Sequence, residues 1–522
     1  MTLRTWLLVP TLVVASACGD DDPARVTSTG GGGGGEPSGG GGGGIDVPPA
    51  PDITWSACPA SDTPGFACAD VPVPLDWSNL EGASMLVRIR RHEASTDPPR
   101  GSVWMLEGGP GAPGSWILPY ALDTAAAHPD LDVLVVEHRG TGTSGPLICT
   151  EPTDPPTASC LDALLAEDAT RIAATSTTAS ARDVATIARW FGRGDAQLLY
   201  GRSYGTYWAH RVVSVDPGAF DAVILDSPCD AVAGCPAAHR DVQTDAVARS
   251  FLARCDADPV CAAKLTGGAI AFAENVVAAA DAGACQAAVD AGLTGTRLRL
   301  ARARRAGARD MRSLAPALLH RVDRCSAEDA PVFAHLSGWL DIVEGALAAS
   351  PDFSLPTNYH VMRSEFWEEG ATVAGAEAEL ATTIAASGAS VRWAQAFAAW
   401  PWPVVEVDPA LHSWALESVP ALVISGGLDS STPASLIAPL ESQLAAGSSF
   451  VRLEYATHVA SAYENPSGAC ARTMIDAFLD APGAPLDSSC IATADAAELA
   501  TLFAVDESAA LQAFGTASAY GD

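Results

Sequence analysis

The sequence predicts an α/β protein, built on a mainly parallel sheet with helices on both faces and a helical cap inserted into it. Three observations carry that prediction. From Asp52 onward, short apolar runs rich in β-formers alternate with longer Ala-rich stretches, the pattern of parallel strands joined by crossover helices. The turns between them are rich in Gly, Pro and Asp, the residues that end regular structure. Nearly 200 residues then separate the apolar run ending at Leu225 from the next one, at Ala421, where a plain crossover needs only one helix.

The first fifty residues stand apart. Arg4 precedes the apolar run Trp6 to Val14, and Ala15, Ser16 and Ala17 lead to Cys18. This is the layout of a signal peptide, too short to span a bilayer. Small residues before a cysteine also resemble a bacterial lipobox, so Cys18 is the expected lipidation site after cleavage behind residue 17. Residues 19–50 are polar and contain two six-glycine runs, 30–35 and 39–44. Such a segment buries too little to fold and serves as a flexible tether. The expected organisation is thus signal peptide 1–17, lipid-anchored linker 18–50, core 51–228, helical cap 229–410, second core part 411–492 and C-terminal tail 493–522. The protein is expected to be exported and held at the cell envelope by lipid alone, with secretion as the alternative.

The strands are predicted at Met85 to Arg91, Ser102 to Leu106, Asp132 to Glu137, Gln197 to Tyr200, Ala222 to Leu225, Ala421 to Ser425 and Phe450 to Glu454. The insert reads as helical, with runs at Gln243 to Cys255, Ala269 to Ala282, Ala327 to Ala349 and Gly375 to Ala386. Helices inserted above the carboxyl ends of strands lie where α/β proteins bind ligands, so they should cap a site.

The chain carries 62 acidic against 30 basic residues, a formal net charge of −32. That excess repels phosphate backbones, which argues against nucleic acid as a partner. Lys264 is the sole lysine, and the arginine-rich stretch from Arg297 to Arg312 reads as an offset to the acidic surface. Of the 13 cysteines, 12 remain once Cys18 is set aside, an even number that suits an oxidising compartment. Positions suggest local pairs, Cys58 with Cys68, Cys149 with Cys160, Cys255 with Cys261 and Cys470 with Cys490. The pairing of Cys229, Cys235, Cys285 and Cys325 stays open. No two cysteines have the two-residue spacing of a zinc site and no histidine cluster accompanies them, so neither metal nor cofactor is expected.

The chemistry is carried by Gly201-Arg202-Ser203-Tyr204-Gly205, which fits G-x-S-x-G. The motif is short, but it follows an apolar strand and opens a helical stretch, the setting that exposes a nucleophilic serine on a tight turn. A serine hydroxyl needs an imidazole base and a carboxylate to fix the imidazole tautomer. In this setting the order along the chain is Ser, acid, His. Asp429 lies just past the strand ending at Ser425, and His458 follows the strand ending at Glu454. Asp226 is the alternative acid. Ser203, Asp429 and His458 are therefore the expected catalytic residues. The oxyanion should be held by the backbone N–H of Tyr204 and of Gly109, in the loop Glu107-Gly108-Gly109-Pro110-Gly111.

With these motifs in hand, residues 55 to 490 resemble the serine aminopeptidase branch of the α/β-hydrolases, the secreted tripeptidyl and prolyl aminopeptidases. The resemblance rests on Trp55, Cys58 and Cys68 with Val73-Pro74-Leu75-Asp76-Trp77, on the Gly-Gly-Pro-Gly loop and on the segment His138 to Gly145. The Ser-Tyr-Gly-Thr elbow, Asp429 with Thr432-Pro433, and Cys470 with Cys490 complete it. It implies an α/β-hydrolase fold and a peptide substrate whose free N-terminal ammonium meets a cap carboxylate. Glu365, in Val361-Met362-Arg363-Ser364-Glu365, stands at the place of that acid, with Glu368 and Glu369 as alternatives. Two positions depart from the family: Glu107 precedes the double glycine where His or Pro is usual, and the residues flanking His458 are not glycine. The same triad would also serve an esterase or lactonase, and a silent binding protein could keep the fold.

Overall fold

In the computed structural model, the described residues are 47–521 apart from 152, 233, 236, 308, 349, 351, 400, 401 and 408–411. The signal peptide, Cys18 and most of the glycine-rich linker lie outside them.

Nine strands form one sheet among these residues: β1 (Ser56–Ala57), β2 (Ala67–Pro74), β3 (Ser84–His92), β4 (Gly101–Leu106), β5 (Leu131–Val136), β6 (Ala196–Arg202), β7 (Ala222–Asp226), β8 (Ala421–Gly426) and β9 (Ser449–Leu453). Their order is β1-β2-β3-β5-β4-β6-β7-β8-β9. The pairs β1–β2, β2–β3 and β3–β5 are antiparallel, and β4 to β9 run parallel to one another. This is the α/β-hydrolase fold. All six residues of β4 are buried, because both faces of a parallel sheet are covered. Trp104 and Leu106 point into a core with Val184, Trp208 and Val212. Val103 and Met105, one residue out of phase, point into the opposite core with Leu118, Ile475 and Phe478.

Two strands were absent from the prediction. The outer strand β1 has only two residues, and β2 contains Pro72 and Pro74, which are rare within strands. Proline is tolerated there because β1 covers only Ala67 and Cys68, leaving the outer edge of β2 free of a ladder at the prolines.

Between β7 and β8 the chain forms the helices expected of the insert, among them Arg240–Ala253, Ala269–Asp281, Leu314–Arg324 and Ala330–Ala348. They build a third core around Phe251, Leu318 and Phe333. The segment read as a tail joins it: helix Glu507–Phe514 supplies Phe514, and Phe503 packs on Phe251 with ring centroids 5.0 Å apart. The arginine stretch also differs from its reading as surface charge. Arg299, Arg302 and Arg312 are all 5% exposed or less. Six disulfides are present among the described residues: the four local pairs, together with Cys229–Cys235 and Cys285–Cys325. No helix among the described residues is long and apolar enough to cross a membrane.

At the far end of the sheet from the site, His128 is buried with its ring nitrogens each 3.1 Å from a carboxylate, Asp476 and Asp480. The hydrogen bond to Asp476 is the main cause that raises its pKa above the ordinary value. A raised folded pKa stabilises fully below the unfolded value of about 6.5 and ceases to do so as pH climbs through the folded one. Both carboxylates are about half exposed or more, so the effect is small. The thermal midpoint should fall by about 1 °C as pH rises through that window, and His128→Asn should remove this part of the slope. Identical slopes in the two proteins would show that the cluster is electrostatically idle.

Candidate active site

Ser203 sits between β6 and helix Tyr204–Val215 with φ 56° and ψ −130°, a conformation that costs a non-glycine residue about 1–3 kcal/mol. The surroundings hold it there. Its N–H donates to the Asp226 carbonyl at 2.9 Å. Its own carbonyl accepts from the Thr206 N–H and hydroxyl, at 2.9 and 2.6 Å. The turn is tight enough that a Cβ on Gly205 would come within 2.4 Å of the Leu106 carbonyl oxygen, which is why a glycine stands there.

The loops after β8 and β9 bring Asp429 and His458 to this serine. His458 Nε2 is 2.8 Å from Ser203 Oγ, and Nδ1 is 2.8 Å from Asp429 Oδ2. Asp429 is 1% exposed. Its Oδ1 accepts from the N–H groups of Ser431 and Thr432 at 2.7 and 2.9 Å, and Oδ2 accepts from the Thr432 hydroxyl at 2.7 Å. Burial pushes this carboxyl up, but His458 and the Thr432 hydrogen bonds outweigh it and hold it below the ordinary carboxylate range. Asp226 touches Ser461 and Tyr200 instead of His458, and burial raises its pKa. It braces the histidine loop from beneath.

Directly after the histidine, Val459 adopts φ 54°, a strained state for a β-branched residue. Its N–H is fixed by the Ser227 hydroxyl at 2.7 Å, and the Ser227 carbonyl accepts from Thr432 Oγ1 at 3.0 Å. Ser227 thus ties the histidine loop to the aspartate turn. Nothing in the sequence pattern singled it out.

The oxyanion loop follows β4. Leu106 is in register with Gly201, so the residues after them, Glu107 and Arg202, emerge side by side. They form a bidentate ion pair, with Arg202 Nε 2.9 Å from Glu107 Oε1 and Nη2 on Oε2. Burial disfavours the guanidinium charge, yet Glu107 outweighs it and raises the Arg202 pKa. Glu107 Oε1 also accepts the Gly108 N–H at 2.7 Å. A Cβ on Gly108 would lie 2.8 Å from Ser203 Cβ and 3.2 Å from Oγ, so the Gly108–Gly109 backbone passes directly beside the nucleophile. The N–H groups of Gly109 and Tyr204 donate to no acceptor among the described residues. The Tyr204 group is the free donor that any helix start leaves.

The cap rests on this loop and on the loop after β5. Ser354 N–H donates to the Gly111 carbonyl at 2.8 Å, Asn358 Nδ2 to Pro110 at 2.9 Å, and Thr357 Oγ1 to Gly140 at 2.7 Å. Glu365 lies one turn further, with its side chain 1% exposed. Its Oε1 accepts the Thr177 N–H at 3.0 Å, and Oε2, which has no hydrogen-bond donor among the described residues, is 3.8 Å from Arg211 on the helix that follows Ser203. Glu368 is exposed and clamps His239 together with Glu379, each at 2.8 Å. Glu369 is exposed. Next to His239, Arg240 donates to the Ser431 carbonyl at 2.7 Å, beside the aspartate turn.

Residues 386–490, which carry Asp429 and His458, match the family described as TAP-like protein. No curated protein matches the chain. Among solved structures, a thermostable carboxyl esterase from Bacillus coagulans is 11% identical, with 81% of this chain and 100% of that one covered and a TM-score of 0.34. An epoxide hydrolase from an endophytic Streptomyces is 19% identical over 80% and 96%, with a TM-score of 0.31. The haloalkane dehalogenase DbeA from Bradyrhizobium elkani USDA94 is 14% identical over 80% and 99%, with a TM-score of 0.31.

Proposed function

We propose that the protein is a serine hydrolase, and specifically an aminopeptidase that releases an N-terminal residue or short peptide. The observation that carries the hydrolase reading is the unbroken chain of contacts from Ser203 Oγ through His458 to Asp429. His458 Nε2 takes the hydroxyl proton as Oγ attacks the peptide carbonyl, while the N–H groups of Tyr204 and Gly109 stabilise the oxyanion. The imidazolium returns that proton to the leaving amine. Water, deprotonated by the same nitrogen, then cleaves the acyl-enzyme and restores Ser203.

The aminopeptidase reading draws on the family resemblance of the motifs and on the match of residues 386–490 to TAP-like protein. In it, Glu365 receives the substrate ammonium: its Oε2 is buried without a donor, which an ammonium would supply. The nearby Arg211 offsets the same charge and favours the second reading, an esterase or lactonase using the same triad. Peptide amides with free and acetylated N-termini separate the two. An aminopeptidase should lose at least about 100-fold in kcat/KM on acetylation, whereas equal turnover would leave only the esterase. Export and lipid attachment at Cys18, read from the first fifty residues, are part of the proposal: the enzyme would act at the envelope, or once secreted, on peptides outside the cytoplasm.

A further inference from the structure

Three arginines of the 297–312 stretch enter the cap interior, and two of them find acids. Arg299 binds Asp281 through both terminal nitrogens, at 3.0 and 2.7 Å. Arg312 reaches Glu498 at 3.0 Å. Arg302 differs. It is 2% exposed, its Nε donates to the Ile384 carbonyl at 2.5 Å, and both terminal nitrogens are buried with no hydrogen-bond partner among the described residues.

The neighbouring carboxylates are already committed. Asp281 belongs to Arg299. Asp245 gives Oδ1 to the N–H groups of Ile384 and Ala385, at 2.7 and 3.0 Å, and Oδ2 to Arg249 at 2.6 Å. One positive charge is therefore left over among the described side chains. A buried charge without a partner costs several kcal/mol. Burial lowers the Arg302 pKa to about 9, so the group is still charged at neutral pH.

Arg302 borders a small, partly enclosed cavity of about 10 Å³, whose other walls are hydrocarbon from Ala248, Phe251, Leu252, Ala315 and Ile384. That is room for one particle the size of a water molecule. A guanidinium only donates, so the occupant must accept hydrogen bonds. A single excess charge calls for a monovalent ion, the volume excludes carboxylates, sulfate and phosphate, and apolar walls favour a weakly hydrated one. We propose that the cap holds a halide ion, chloride in ordinary media, against Arg302 between helices Arg240–Ala253 and Gly295–Gly307 and the 381–385 segment. The ion fastens the helix whose first residue, Arg240, donates to Ser431 beside the aspartate turn.

The test is thermal unfolding of the full chain in chloride and in gluconate at equal ionic strength, needing no assumption about activity. The wild-type midpoint should rise with the logarithm of chloride concentration and respond to bromide, but not to gluconate, which is too large for the cavity. Arg302→Met, which keeps the length and removes the charge, should lose the chloride response and be at least as stable as wild type in gluconate. Crystals of the wild-type protein soaked in bromide should show anomalous density against the guanidinium, a readout that stands even if the variant does not fold. A midpoint indifferent to the anion, a chloride response retained by Arg302→Met, or density for water alone would each overturn the proposal.

Discussion

Ser203→Ala should abolish turnover and end labelling by a fluorophosphonate, with the thermal midpoint unchanged or slightly raised. The loss in kcat should be on the order of 10⁶, the size expected when the nucleophile of a triad is removed. Stability should not suffer, because the Ser203 hydroxyl contacts His458 alone while the strained backbone is held by Asp226 and Thr206 through main-chain atoms and the Thr206 hydroxyl. Asp429→Asn tests the other end of the relay. Two N–H groups converge on Oδ1, so the amide oxygen takes that place and the NH₂ turns toward His458 Nδ1. A donor there forces the imidazole to carry its proton on Nε2, facing Ser203, where a lone pair is needed. A loss of about 10⁴ in kcat follows from that tautomer alone. Labelling that persists in Ser203→Ala would remove Ser203 from the chemistry, and failure of the probe to label the folded wild-type protein would revive the silent binding protein.

Much of this site was legible because its parts are local. Each catalytic side chain sits within a few residues of a strand end, and strands buried on both faces announce themselves as continuous apolar runs: β4, β5, β7 and β8 are buried throughout. Strand β2 escaped because edge strands accept proline and need not be apolar. The choice between Asp226 and Asp429 depended on where a loop turns after β8, and the contact between Asp429 and His458 comes from the Ser227–Thr432 tie, which no periodicity encodes. The arginines of 297–312 were misplaced for a related reason. Charge suggests surface, and only tertiary structure reveals Asp281 or Glu498 waiting inside. Glu107 was legible as an oddity, a charge beside the oxyanion loop. Its partner was not, because the pairing of Glu107 with Arg202 follows from the register of two strands nearly a hundred residues apart.

That pair sets up the second large effect. Glu107→Gln should lower kcat by about 10²-fold with little change in KM, the cost of misplacing one oxyanion donor. The carboxylate does two things at once: it binds Arg202, and it accepts the Gly108 N–H. The second contact fixes the orientation of the peptide that leads to Gly109. Gly108 N–H and Arg202 Nε share Oε1, so a glutamine oxygen placed there turns its NH₂ on Arg202 Nη2, and the clash of two donors pulls the side chain off the Gly108 N–H. Arg202 is then a largely buried cation without its counter-ion, and stability should fall by about 3 kcal/mol, less where solvent reaches the 16% of the side chain that is exposed. Activity and stability fall together in this variant, which alone cannot tell positioning from general damage. The double variant Glu107→Met, Arg202→Met can. It removes both charges, so most of the stability should return. The acceptor for Gly108 is still missing, so kcat should stay depressed about 10²-fold, and the split between recovered midpoint and unrecovered kcat is what positioning predicts. Recovery of kcat along with the midpoint would show instead that the pair serves only to hold the strand ends together, and that the glycines place the oxyanion donors without it.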